Sequence, residues 1–503
     1  MISKKGRHVL GSLLYLVAIL LLSLSSTVVH AQTSTVGSIN GTVRDPQGAG
    51  VPKTDVVLKE ERTGFTRTVK TDDNGFYSAP SLPIGVYTVS ASPQGFKKTT
   101  NTGVELHVSE SLVINLALQI GEVTETVTVT GETPQLDTTG GKVSSLVSEK
   151  QVKELPLNGR NYAALVTTIP GVSPGEGGNF AVRGTGLDSH VDMSVNGNQS
   201  NGNLWTVDGV NNMDVGSNAT LLVFPSIDSI QEFRVERNSF SAEFGQAQGA
   251  VINLITKGGG NQYHGTAFEF LRNDALNSTD FFLNSARQPK QKLRYNNFGF
   301  NFNGPILKDR IFFFWSEEWR REGRGTVLSA KVPNPQERVG NFSGALTAGR
   351  PRDPFLTGGC DPRGTVNGNF GACFPNDTIP ANRLSPAGLA IMKIFPNPNN
   401  PGSTNWISSA LEPVATRQDS IRGDVIINSK MNLMVRFINE TWDRKNASGN
   451  FWGDTPFPTL SSDWNQPSKS FAVKLSTTLT SSTVNEFQFS RSGNDIFVTT
   501  NQA

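Results

Sequence analysis

The amino-acid sequence predicts a mainly β, exported protein: a signal peptide, a small β-sandwich, a mixed α/β segment, then a partial antiparallel transmembrane β-barrel. Three observations carry this. The N-terminus has the charge and hydropathy order of an export signal. Between Gly37 and Ile120, short alternating strands are punctuated by turn residues at roughly 8–12-residue spacing. Beyond His264, strands place an aromatic or aliphatic residue at every second position against a polar opposite face.

The chain has 503 residues, enough for about three domains at roughly 150 residues each. Its 45 Lys and Arg nearly balance 43 Asp and Glu, a net charge of +2. No strong field or basic tract exists to draw in nucleic acid. With 5 His and 2 Cys, neither a metal centre nor any other cofactor site is expected. No Gly-x-Ser-x-Gly elbow, His-Glu-x-x-His or Walker loop is present, so no catalytic residues are assigned. His107, His190 and His264 stand singly and read as surface or packing residues.

Lys4, Lys5 and Arg7 precede an apolar run from Val9 to Leu24, then Val29-His30-Ala31, so residues 1–31 read as a signal peptide cut after Ala31. The run is shorter than the ~20 residues a spanning helix needs. Export puts Cys360 and Cys373 in an oxidising space. In a Gly/Pro/Asn-rich stretch they read as one disulfide closing a surface loop, with unlinked thiols as the other reading.

In residues 37–120, Gly41-Thr42-Val43 leads through Gly48 to Val51-Pro52, then Thr71-Asp72 to Gly75-Phe76-Tyr77, Leu82-Pro83, Gly85 and Tyr87. Asp72-Asp73-Asn74-Gly75 reads as a hairpin turn, because the alternating oxygen ligands and closing Glu of a calcium loop are absent. The segment resembles the carboxypeptidase-regulatory-like domain, a transthyretin-like sandwich of the carbohydrate-binding-like fold. The resemblance implies no catalytic residues.

Residues 121–134 change character. Glu125, Thr126, Val127, Thr128, Val129, Thr130 and Gly131 are rich in β-propensity. Two readings stand: the last strand of the preceding sandwich, or an exposed strand that adds to a partner's sheet. In the second reading it resembles the TonB box of outer-membrane receptors.

Residues 135–262 contain Ala181-Val182-Arg183-Gly184, Val207-Asp208-Gly209-Val210, and Gly245 through Gly249 to Val251-Ile252-Asn253-Leu254-Ile255-Thr256-Lys257. Gly245 and Gly249 suit close backbone approach or positive φ. Val251 to Ile255 reads as a strand buried on both faces. In this order the elements resemble the plug domain of TonB-dependent receptors. Arg183, Gly184, Asp208, Gly209, Gly245, Gly249 and Asn253 carry that resemblance, with Arg183 and Asp208 as plug-to-barrel ionic contacts or ordinary surface charges.

Residues 263–503 carry the barrel pattern: Phe298, Phe300 and Phe302; Phe268 and Phe270; Phe471, Val473 and Leu475 opposite Ser470, Lys474 and Ser476. Phe312 to Trp315 and Trp319 read as an interface girdle. Residues from about Gly323 to Thr416 read as an extracellular loop holding the Cys pair. Arg422-Gly423-Asp424 falls in a predicted strand and reads as a chance match to an adhesion tripeptide. About seven strands fit this segment, against about 22 in barrels of the resembled receptors, and the end at Ala503 lacks a terminal aromatic strand. The expectation is an N-terminal fragment that lacks most of the barrel.

The resemblance, in particular to the Oar-like type with its extra N-terminal sandwich, implies active uptake across the outer membrane. Its partners would be a periplasmic TonB-type protein, outer-membrane lipid and an external substrate of unknown identity: oligosaccharide, peptide or protein, or chelate. The competing reading is a secreted or surface β-sandwich adhesin without transport.

Overall fold

The computed structural model describes residues 35–122, 126–130, 141, 143–174, 191, 193–216, 218–241, 244–287, 290–344, 351–359, 372–402, 404–447, 461–480 and 483–501. The expected signal peptide, together with Glu125, Gly131, Arg183, Gly184 and Cys360, lies outside these residues.

Nine strands build the N-terminal sandwich: β1 (Gly37–Arg44), β2 (Asp55–Glu60), β3 (Thr66–Lys70), β4 (Phe76–Leu82), β5 (Gly85–Ala91), β6 (Lys98–Leu106), β7 (Ser111–Val113), β8 (Leu116–Ala117) and β9 (Thr126–Thr130). One sheet runs β4-β1-β7 with β8 also on β1, and the other runs β3-β2-β5-β6-β9. Alternate residues such as Ile39, Val43, Val56, Leu58 and Val89 point between the sheets and are buried. Tyr77 and Tyr87 are buried with them, and their hydroxyls donate to the carbonyls of Ile114 and Pro83, both at 2.7 Å. Two large rings thus enter the core without an unpaired O–H. The Asp72 to Gly75 turn is held by Asp72 Oδ1 accepting from the Asn74 and Phe76 amides, with Gly75 at φ 76°. It is a corner between the two sheets rather than a hairpin, because β3 and β4 belong to different sheets. Sequence alternation does not say which strands pair.

The middle segment comprises β10 (Val143–Val147), helix α1 (Glu149–Glu154), β11 (Val172–Pro174), β12 (Met193–Val195), β13 (Leu204–Val207), β14 (Val210–Asn211), β15 (Ile230–Asn238) and β16 (Val251–Thr256). Ser148 and Gln151 form a reciprocal capping box that starts α1. The sheet order is β10-β15-β16-β13-β14. β16 is buried along its whole length between β15 (antiparallel) and β13 (parallel), as its unbroken apolar run predicts. Tyr162 sits at the centre of this core, its ring 4.3 Å from Phe224 and 6.3 Å from Trp205 and Phe233.

The C-terminal segment comprises β17 (His264–Asn273), α2 (Phe281–Ser285), β18 (Leu293–Leu307), β19 (Ile311–Ala330), α3 (Pro386–Ile394), β20 (Trp406–Asn428), β21 (Met431–Ala447), β22 (Ser461–Thr478), β23 (Val484–Asn494) and β24 (Phe497–Asn501). β17 to β23 form one antiparallel meander, and β24 pairs with β22 beyond the end of β23. Strands β19 and β20 run on to Ala330 and from Trp406, so the long connection is 331–405 and narrower than the expected Gly323 to Thr416. Connections at one end are short, Lys308 to Arg310 and Ser429-Lys430, whereas 274–292 and 331–405 lie at the other. In outer-membrane barrels short turns are periplasmic and long loops extracellular.

Alternation sorts the two faces. Phe298, Phe302, Trp315, Ile421, Val435, Phe437, Phe487 and Phe489 are all exposed large apolar residues on the outer face. Neighbouring strands align them: Phe302, Trp315, Ile421, Phe437 and Phe471 form one cross-strand row. The next row towards the long loops is Phe300, Glu317, Asp419, Asn439 and Lys469. There Arg417 donates to Glu317 (2.6 Å) and to Asp419 (3.2 Å), closing the upper boundary of the apolar band with paired charge. From Ile311 to Trp319, which stands in the girdle row beyond that boundary, the outer face spans about 26 Å along the strand, or ~20 Å along the membrane normal at a ~40° tilt.

Two expectations change here. Phe268 and Phe270 face inward, with the Arg160 guanidinium 4.7 and 4.5 Å from their ring centroids. Phe312 and Phe314 are also inward and fully buried, leaving Phe313, Trp315 and Trp319 for the girdle.

Candidate functional site

The inner wall of the sheet holds the middle segment through polar contacts, and Asp208 is their centre. Asp208 and Gly209 are the two-residue turn between β13 and β14, with φ 50° and 81°. Both central residues of this hairpin turn need positive φ, which Asp-Gly tolerates best. The turn aims the Asp208 carboxylate at β16, where it accepts from the Thr256 amide (2.9 Å) and hydroxyl (2.8 Å). From the wall, Arg422 approaches Asp208 at 3.4 Å and Arg436 at 3.5 Å. Arg422 also pairs with Asp424 and donates to the Thr256 carbonyl at 2.6 Å. Arg436 is fully buried, and its other contact is a 2.8 Å hydrogen bond to Ser470. Of the two readings for Asp208, the plug-to-barrel contact is the one observed. The Arg-Gly-Asp tripeptide faces this joint and is not displayed on the surface.

A second joint forms near Arg160, whose guanidinium meets Asp228 at 2.5 Å and Glu318 at 3.8 Å. Ser226 donates to Glu318 as well. Glu440 accepts from the Phe224 amide at 2.8 Å, and Gln418 donates to the Phe224 carbonyl. Glu318, Gln418, Arg422, Arg436 and Glu440 all occupy inward positions of β19 to β21. Their even-numbered spacing was legible as one face of each strand; which partner each would meet was not.

The remaining sequence-singled residues fall as follows. Asn253 is buried and accepts from Thr206 at 3.0 Å. Gly249 permits close approach, since a Cβ there would stand 2.6 Å from Asn203 Oδ1. Gly245 does not: open space surrounds its Cβ position and its φ is not positive, whereas the neighbouring Gln246 has φ 61°. Cys373 is buried and not free. Thr126 to Thr130 form β9, paired in parallel with β6 from Lys98 to Thr102. The segment is therefore the last strand of the sandwich sheet, with its second edge at the end of the strand order.

The sandwich is docked at the short-turn end. Arg62 donates to the Gly258 carbonyl (2.8 Å) and to that of Gly259 in the link before β17. Arg67 donates to the Ser429 carbonyl (3.2 Å), and Asn261 bridges the Thr63 carbonyl (2.9 Å) and Asp309 (2.7 Å). Ile84 and Val108 pack on Ile255. A cavity of about 120 Å³ remains where the three parts meet, lined among others by Arg62, Asp208, Arg422, Asp424 and Lys474. Burial pushes the Lys257 ammonium down to about 8, although Glu149 stands 3.2 Å away.

Sequence reading missed one further joint. Glu232 on β15 accepts from His107 Nδ1 (2.8 Å) and from the Val108 amide (2.7 Å). Glu105 is 3.7 Å from the ring, and Glu110 and Arg234 also face it. Burial disfavours the imidazolium, but the Glu232 hydrogen bond and charge, with Glu110, outweigh it and raise the His107 pKa. A raised pKa adds stability that is complete below the unfolded value near ~6.5 and lost as pH rises through the folded value. Docking of the sandwich is thus expected to loosen as pH is raised from about 6.5 through the higher folded value. Hydrogen exchange of the β15 and 107–110 amides across that range checks this, and His107→Gln should flatten the profile.

Comparison with known proteins follows the same division. Residues 38–119 match the family of the carboxypeptidase regulatory-like domain, 135–251 the TonB-dependent receptor plug domain, and 255–503 the outer membrane beta barrel domain. The chain thus has the plug and outer-membrane β-barrel make-up of TonB-dependent receptors. Among curated proteins it is similar to the TonB-dependent transporter Oar of Myxococcus xanthus, 28% identical over 307 residues. That similarity covers 58% of this chain and 27% of the relative, so the chain spans about a quarter of the relative's length. Among solved structures, the outer membrane transporter YddB from Escherichia coli matches with TM-score 0.40 and 12% identity, over 67% of this chain and 37% of that one. A mutant ferric enterobactin receptor from Pseudomonas aeruginosa matches with TM-score 0.38 and 13% identity, over 70% and 41%.

Proposed function

We propose that the protein takes up an external substrate across the outer membrane, driven by a TonB-type protein in the periplasm. Substrate of the oligosaccharide, peptide or protein, or chelate class would be met by the long-loop end. There the 331–405 loop is stiffened by Arg383, paired with Asp353 at 2.6 Å and stacked on Phe355 and Phe374. A Cys360–Cys373 bridge would close the same loop. Pulling on residues 125–131 would shift the plug, and outward movement of Asp208 from Arg422 and Arg436 would open a path along the inner wall. The observation that carries this reading is the seating of the 143–256 sheet against the charged inner face of β19 to β21, with a β-strand ahead of it whose second edge ends the sheet.

Strand addition depends on backbone N–H donors, which proline lacks. The double variant Val127→Pro/Val129→Pro is expected to lower affinity for a purified TonB-type periplasmic domain at least ~10-fold, the loss of about 1.4 kcal/mol or more. Equal affinity, measured by calorimetry with the folded barrel confirmed by its heat-shifted gel mobility, would remove the strand-addition step.

A further inference from the structure

The segment read as the partner strand is already in use. Thr126 to Thr130 lie in register on Lys98 to Thr102, each residue opposite one of β6, with Thr128 facing Thr100. The sandwich that carries β6 is itself tied down. Arg62 holds the Gly258 and Gly259 carbonyls, Arg67 holds Ser429, and Lys474 in β22 holds Thr35 at 2.5 Å. The chain then continues from β9 towards β10, the first strand of the plug sheet.

This arrangement decides where a pulling force goes. While β9 remains on β6, load applied to residues 126–130 passes through the β6–β9 ladder into the sandwich, and from there into the turn and strand contacts at Ser429 and Lys474. It does not reach the plug. Only once β9 has peeled from β6 does the same load run along the chain into β10. β10 is an edge strand of the plug sheet, bonded among the described residues to β15 alone, so it is the strand that tension would strip first. A parallel pairing of five residues at the end of a sheet is a modest barrier: it holds the strand at rest and yields under load.

We propose that β6 is a latch: the sandwich holds residues 126–130 in reserve, and release of β9 from β6 must precede movement of the plug. The proposal rests on the strand-addition reading above and adds to it the element that regulates it. The sandwich thereby acquires a role within the uptake cycle, without any need for it to bind carbohydrate.

The test is mechanical and needs no substrate. The full chain in outer-membrane vesicles is pulled through a tethered, purified periplasmic domain of a TonB-type protein. The variant Thr100→Cys/Thr128→Cys is pulled before and after closure with a short bis-methanethiosulfonate linker, which joins the two thiols through reducible disulfides with loss of sulfinate. Both single variants treated identically serve as controls, and Thr128 is exposed to the reagent. Pick-up events followed by plug extension are expected from the open double variant. With the link closed, plug extension is expected to vanish, and cleaving the link should restore it. Plug extension at the same frequency and force with the link closed overturns the latch while leaving strand addition in place. Deletion of residues 126–130 gives the other arm. If pick-up persists without them, the strand-addition reading falls and the latch falls with it.

Discussion

Asp208→Ala is expected to lower the stability of the seated plug by about 3–5 kcal/mol, the usual result of removing one partner from a buried ion pair. The carboxylate has three roles at once: it accepts two hydrogen bonds from Thr256, and it faces Arg422 and Arg436. Arg422 retains Asp424 when Asp208 is lost, so its share of the cost is small. Arg436 has no solvent access and loses its ion pair, which makes it the larger contributor. The cost should therefore be non-additive. Asp208→Ala combined with Arg436→Leu is expected to recover part of the loss, since no buried charge is then left uncompensated. Hydrogen exchange of β13, β14 and β16, read against the β19 to β22 amides, separates a loosened plug from a loosened barrel. Protection unchanged in both would remove Asp208 as the pin of the joint.

The second large effect concerns the outer face. Val435→Arg places a guanidinium at the level of the apolar band, where such a charge costs roughly 2–4 kcal/mol. Thr441→Arg, on the same face of the same strand but beyond the Asn439 row, should cost only ~0–1 kcal/mol. The contrast between the two matters more than either value. An aqueous sheet with an apolar covering layer would penalise Val435→Arg but has no reason to follow depth. Equilibrium unfolding of the full chain from lipid vesicles gives both numbers.

Much of this molecule was legible because period-two alternation and turn chemistry are local signals. The three-part division, the doubly buried β16 and the apolar rows through Phe437 and Phe471 all follow from such patterns. What stayed hidden depends on parity and partners. In Ala267-Phe268-Glu269-Phe270 the alternation is equally regular whichever set faces lipid, and a one-residue slip exchanges the faces. Arg160 decides it by stacking on Phe268 and Phe270 from within. Arg436 was passed over for the same reason: a lone Arg between Val435 and Phe437 marks an inward position but does not name its ligand. Residues 126–130 are a different case. Thr/Val alternation states that a strand forms and is silent on whose sheet it joins, and that choice is the one the latch turns on.

The seven Trp residues offer a direct reading of the two faces. Trp315 lies on the outer face and is 41% exposed, whereas Trp442 is inward and 1% exposed. Variants retaining only one of them, reconstituted in vesicles with brominated acyl chains, report which ring touches hydrocarbon. Strong quenching of Trp315 with Trp442 unaffected is the expected result. Trp315 emission as indifferent to bromine as that of Trp442 would contradict the placement of the sheet in the membrane.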